Sequence, residues 1–162
     1  MKQAIQTQIE RMAARGATYA DARWYPFEDQ SLLFMWNGNL KEFNASRESG
    51  LGVRVLYHGA WGFSAASQLS DLPAVFDQAF DNARAAAERV TFPVRLAEKE
   101  ALQAQFQSPN RIDPFEVPLG EKINLLRKLD EALTQPGVEQ RAIWMNFTRK
   151  QIVYFDSEGS EI

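Results

Sequence analysis

The stretch that most constrains this chain is Gly50 to Ser67, GLGVRVLYHGAWGFSAAS. Val53, Val55 and Tyr57 alternate with Arg54 and Leu56, the period of a strand. His58-Gly59 supplies a turn. A second strand over Ala60–Ala66 carries Trp61 and Phe63 around Gly62. A hairpin needs only its turn glycine, yet Gly50, Gly52, Gly59 and Gly62 crowd into this one. A glycine inside a strand marks a bulge or a close approach of another backbone. The chain is therefore expected to press this hairpin against something.

The remaining periodicities supply the neighbours. Ile5, Ile9, Met12 and Ala13 recur at helical spacing, closed by Gly16. Thr18–Tyr25 alternates as a strand, with Ala20, Ala22 and Trp24 on one face and Tyr19, Asp21 and Arg23 on the other. Pro26–Asp29 reads as a turn and Ser31–Trp36 as a second strand. Asn37-Gly38 is a strong hairpin signal, and Asn39–Glu48 reads as a polar return strand. With the 50–67 hairpin this makes a meander of about five strands. Ser70-Asp71 can cap a helix with the stripe Phe76, Ala79, Phe80, Ala83, Ala87 and Val90, ended by Phe92-Pro93. Glu98–Gln107 is mixed and polar, the composition of a loop. Pro118 opens another helix with the stripe Leu119, Ile123, Leu126, Leu129 and Leu133. Ala142–Phe147 and Gln151–Asp156 read as a late hairpin around Thr148-Arg149-Lys150. The expected fold is α+β: a mostly antiparallel meander sheet packed by about three helices, in one domain over 1–162. Ser157-Glu158-Gly159 reads as a turn with a strand to follow, so the chain is expected to be a fragment of a longer protein, cut in its last strand.

Composition narrows the function classes. The 162 residues carry a net charge of −3, and no segment is both long and basic, so the electrostatic footprint of a nucleic-acid binder is missing. Cysteine is absent, which removes disulfides and thiolate chemistry. The amphipathic start is no signal peptide, and no apolar run reaches the roughly 20 residues of a membrane span. The expected location is the cytoplasm, with neither nucleic acid nor membrane as partner.

The 50–67 run resembles the signature of the first domain of TldD/PmbA proteins, once called modulators of DNA gyrase: a GxGVRV strand, a short Gly turn and a WGF-like return strand. The segment Arg15-Gly16-Ala17-Thr18-Tyr19-Ala20-Asp21-Ala22-Arg23 is similar to the family's first strand, Asp71–Val90 to its Ala-rich helix, and Asp113-Pro114 with Pro118–Leu133 to a later helix. The match runs in order along nearly the whole chain and looks closer to the TldD branch. The resemblance implies an amino-terminal domain of a zinc metallopeptidase. It implies that the zinc, held by a His-Glu-x-x-x-His helix, belongs to a downstream domain. It further implies pairing with a family subunit, as a homo- or heterodimer, and action on unfolded peptides.

Within this chain the residues offer little catalysis. His58 is the only histidine and lies at a hairpin tip, the place of an exposed turn residue. Neither Glu28 with Asp29 nor Asp77 with Asp81 sits in an apolar context, so both pairs read as solvated surface acids. Ser64 lacks the Gly-x-Ser-x-Gly frame of a nucleophile elbow, and Gly50-Leu51-Gly52 precedes a strand instead of following one as a dinucleotide loop would. No catalytic, cofactor or metal residue is assigned. Candidate cleft or interface residues are Gly52, Arg54, Gly59, Trp61, Gly62 and Phe63. Arg54 is either an anion contact facing a partner or an arginine on the solvent side of the sheet. Trp61 and Phe63 either pack on the 71–90 helix or wall a peptide groove. Trp24, Trp36 and Trp144 read as core or as cover for a sheet face. The alternative to the peptidase domain is a free-standing binding or scaffold domain.

Overall fold

The computed structural model describes residues 1–162. In chain order it contains α1 (Lys2–Ala14), β1 (Tyr19–Trp36), β2 (Asn39–Tyr57), β3 (Ala60–Ala66), α2 (Leu72–Ala87), α3 (Leu119–Ala132) and β4 (Ala142–Asp156). The strands form one antiparallel sheet in the order β3-β2-β1-β4, so the fold is α+β with three helices.

The strands are fewer and longer than the sequence pattern predicts. The expected turn at Pro26–Asp29 is part of β1, which runs unbroken for 18 residues. Proline's fixed φ lies within the extended range, so it removes one donor without turning the chain. Asn39–Glu48 and Val53–Tyr57 are likewise one strand, β2. The late hairpin at Thr148-Arg149-Lys150 is also absent, because β4 passes straight through it. Arg149 is anchored there: its guanidinium reaches Asp29 at 3.0 Å and Asp113 at 2.8 Å. The meander of five strands is therefore three, with β4 added beside β1. The two tight turns are as expected. Asn37 and Gly38 have φ of 44° and 74°, and His58 and Gly59 have 48° and 80°, the paired positive values of a two-residue hairpin. Past β4 the chain turns at Ser157–Gly159, and Ile162 exchanges backbone hydrogen bonds with Tyr154 at 2.9 and 3.1 Å.

The residues sort into two compact units. One comprises Met1–Phe27, Ser49–Phe106 and Gln151–Ile162; the other comprises Glu28–Glu48 and Gln107–Lys150. The first unit owns the larger core. Ile5, Ile9 and Met12 of α1 and Val75, Phe76, Ala79, Phe80 and Ala83 of α2 bury against Ala20, Ala22, Val53, Val55 and Phe155. Asp71 caps α2 by accepting a hydrogen bond from the Ala74 amide at 3.1 Å. Gly62 explains how close α2 comes to β3: a Cβ there would overlap the Ala79 carbonyl and the Ala83 nitrogen.

The second unit has a small apolar core of Leu33, Met35 and Leu126, flanked by Ile123, Ile143, Met145 and Phe147. The expected leucine stripe of α3 does not all face inward. Leu126 is buried, but Leu119, Leu129 and Leu133 are exposed. The inward face is shared by Leu126 and Asp130, one turn apart, and Asp130 accepts from Arg141 Nε and Nη2 at 3.0 and 3.1 Å. Trp144, read as core or as cover for a sheet face, is exposed and stacks on Phe34 of β1 with centroids 4.9 Å apart. Asp29 is the other surprise. It is buried, not a surface acid, and accepts from Arg47 Nε at 2.5 Å and from Arg149 Nη2 at 3.0 Å. Arg47 above all, and Arg149 with it, hold its carboxyl down at about 2.

Candidate functional site

The register of the 50–67 hairpin divides its residues between two faces. Val53 pairs with Ser64 and Val55 with Gly62, and this face meets α2. Gly52 pairs with Ala65, Arg54 with Phe63 and Leu56 with Trp61, and these point the other way. Trp61 and Phe63 therefore do not pack on the 72–87 helix. On β1 the same alternation gives Ala20 and Ala22 to the core and Tyr19, Asp21 and Arg23 to the outer face. On β4 it gives Val153 and Phe155 to the core and Tyr154 and Asp156 to the outer face.

The outer face is a connected network of ions and rings. Asp21 is fully buried, at 0% exposure. It accepts from Arg54 Nε at 3.0 Å and from Arg54 Nη2 at 2.5 Å. One edge of the Arg54 guanidinium is thus committed to an internal carboxylate. Its side chain keeps 39% exposure and stacks 5.1 Å from the Trp61 ring centre. Trp61 meets Tyr19 edge to face at 5.8 Å. The Tyr19 hydroxyl lies 2.7 Å from that of Tyr154, which donates to Asp156 Oδ2 at 3.0 Å. Lys99 reaches the same oxygen at 2.5 Å, and the Ser160 and Glu158 amides bond to Asp156 Oδ1. Arg23 stands 3.8 Å from Asp21 and 5.5 Å from the Tyr154 ring centre.

Tyr19, Tyr154, Asp156, Lys99 and Arg54 are each pushed toward their ordinary charge state. Burial, then the bond to Tyr154, pushes the Tyr19 phenol far up, and burial also raises Tyr154. Burial pushes Asp156 up, but Lys99 and the Ser160 amide outweigh it and hold the carboxyl below the usual range. Asp156 in turn raises Lys99, and Asp21 raises Arg54. Every one of these shifts leads away from neutrality, the opposite of what a general acid or base requires. The arrangement is suited to holding and recognising, not to proton transfer.

Part of this face is open. A groove of about 380 Å³ is lined by Arg23, Tyr25, Gly50, Gly52, Arg54 and Phe63 among others. Phe63 is 58% exposed, against 4% for Phe80 of the core. Its ring lies over Gly52, within ordinary contact distance of where a Cβ would stand. Of the predicted candidates, Gly52, Arg54 and Phe63 come together here, with Trp61 beside Arg54. Gly59 and Gly62 lie elsewhere: a Cβ at Gly59 would overlap Pro93, and Gly62 faces α2. His58 is an exposed turn residue stacked on Tyr57. Asp77 and Asp81 make surface ion pairs with Arg11, Arg15 and Arg84. No three His, Asp or Glu side chains are grouped to hold a metal ion. Sequence reasoning did not single out Asp21, Tyr19, Tyr154, Asp156 or Lys99. The signal was there for four of them: Tyr-x-Asp recurs at 19–21 and 154–156, a polar face at strand period beside an apolar one.

This geometry can be set beside known proteins. Residues 29–88 match the sequence profile of PmbA/TldA metallopeptidase domain 1. That stretch is similar to the PmbA/TldA first-domain family. A metalloprotease of Methanocaldococcus jannaschii is 23% identical over 156 residues, covering 95% of this chain and 34% of its own. Among solved structures, a candidate modulator of DNA gyrase from Bacteroides thetaiotaomicron superposes with a TM-score of 0.76 at 12% identity, over 99% of this chain and 37% of that one. TldE from Thermococcus kodakarensis superposes with a TM-score of 0.67 at 12% identity, over 98% of this chain and 36% of that one. The chain therefore spans about a third of the length of the curated relatives it matches, 34% and 31%. The recognition as a TldD/PmbA amino-terminal domain holds, and so does the fold it implies.

Proposed function

We propose that this chain works as the first domain of a longer metallopeptidase, and that the outer face of its 50–67 hairpin borders the path of an unfolded peptide. The observation that carries this reading is the groove beside Arg54 and Phe63, where a large aromatic ring stays 58% exposed next to a guanidinium. Its support is the first-domain profile together with the name metalloprotease carried by the curated relatives. The metal would be zinc, held by the downstream part of the parent, where it would supply an activated water for hydrolysis. This chain's contribution would be to hold the substrate and to pair with a second subunit of the family in the cytoplasm.

The test is the full-length product of the gene. Reading the gene past Ile162 should reveal a His-Glu-x-x-x-His helix. The purified protein should cleave an unfolded casein substrate, lose that activity to a chelator and regain it with zinc. A stop codon at that point, or a metal-free protein without cleavage, would overturn the reading in favour of a free-standing binding domain.

A further inference from the structure

We infer that the groove beside Phe63 selects acidic peptide segments, those that place a carboxylate next to a large apolar side chain. This rests on the peptide-facing reading of the hairpin and adds the chemistry of what it recognises. Two guanidiniums, Arg23 and Arg54, line the groove and share a single carboxylate, Asp21, so the three groups together carry one surplus positive charge. Asp21 takes only the Nε and Nη2 edge of Arg54, and a guanidinium has five N–H groups, so the rest of that fork remains available. The Arg23 side chain makes no hydrogen bond: it stands at ion-pair distance, 3.8 Å, from Asp21 and 5.5 Å from the Tyr154 ring centre. Both cations are held in place, one by the buried carboxylate and one over the ring. Little ordering remains to be done when an anion arrives.

The apolar half of the specificity is Phe63. It pairs with Arg54 across the β2–β3 ladder, so cation and ring lie side by side on the same face. Gly50 and Gly52 line the groove beside the Phe63 ring, which lies over Gly52. Beyond the last ladder pair, Leu51 with Ala66, Ser49 and Gly50 lie at the open end of the groove. A polyphosphate is a poor fit. It needs many cations along its length, and this groove offers one surplus charge beside an aromatic ring in a chain of net charge −3. A peptide alternating acidic and apolar residues fits both halves.

The experiment uses the 162-residue chain and fluorescence anisotropy. The probes are a fluorescein-labelled peptide of alternating glutamate and leucine and its counterpart with lysine for glutamate. The glutamate peptide should bind about tenfold or more tighter than the lysine peptide, and raising salt from about 50 to about 300 mM should weaken it. Arg23→Ala should weaken it by about tenfold and leave the lysine peptide unaffected. Phe63→Ala provides a second variant: it should weaken both peptides while the melting temperature stays unchanged. Equal binding of the two peptides, or an Arg23→Ala variant that binds like the parent chain, would overturn the charge selection and leave the peptide-facing reading in place. No binding of either peptide would overturn both.

Discussion

The two faces of one hairpin are built on opposite terms. On the inner face, Val53 and Val55 are buried and Gly62 brings the α2 backbone into contact with β3. On the outer face, the same two strands carry Arg54, Trp61 and Phe63, tied to a buried carboxylate and left partly open to water. The glycines show the difference most clearly. Gly62 is there because another backbone lies against it, whereas Gly52 lies under an exposed aromatic ring at the floor of a groove. A glycine-rich strand pair thus has two explanations at once, packing on one side and access on the other.

Truncating the inner face should have the largest effect. Phe80→Ala should cost about 3–5 kcal/mol in urea denaturation, the range for removing a buried aromatic ring. A loss under about 1 kcal/mol would remove the distinction between the faces. Gly62→Ala should follow at about 1–3 kcal/mol, because the added methyl forces α2 off β3. A neutral result there would mean that the close approach is not what the glycine serves.

The outer face should respond less to truncation. Asp21→Asn should cost about 1–2 kcal/mol, since it weakens charged hydrogen bonds whose other partner, Arg54, is partly in water. It should also free the guanidinium, which a rise in affinity for the glutamate peptide would report. Acid separates the faces in another way. The Asp156 carboxyl is held below its ordinary value, so its stabilising contribution is complete above the unfolded carboxylate value, about 3.9, and is lost as pH falls through the lower folded one. In an NMR titration, the Ser160 and Glu158 amides that bond to Asp156 should shift below about pH 4, while the Val53 and Gly62 amides stay in place. Simultaneous shifts on both faces would argue against independent behaviour.

How much of this could be read in the sequence follows the same division. The inner face was legible because apolar periodicity reports burial directly: Phe76, Ala79, Phe80 and Ala83 lie where their spacing puts them. Both hairpin turns were legible because Asn37-Gly38 and His58-Gly59 suit positive φ. Strand length was not, since Pro26 and the Thr148–Lys150 stretch are local turn signals that ladder pairing and the Arg149 anchor override. On α3 the apolar stripe misled: Asp130, polar in sequence, is buried by its pairing with Arg141, while Leu119, Leu129 and Leu133 are exposed. The outer-face network was only half legible. Alternation put Tyr19, Asp21 and Arg23 on one face, but the partners Arg54, Tyr154 and Lys99 come from segments far away in the chain.

The central claim is that the outer face serves a peptide and the inner face serves the fold. Phe63→Ala in the full-length parent tests it most directly, through kcat/KM for an unfolded peptide substrate. The expected result is a fall of about tenfold, about 1.4 kcal/mol of lost transition-state binding, with an unchanged melting temperature. An unchanged kcat/KM, or a fall that appears only together with unfolding, would contradict it.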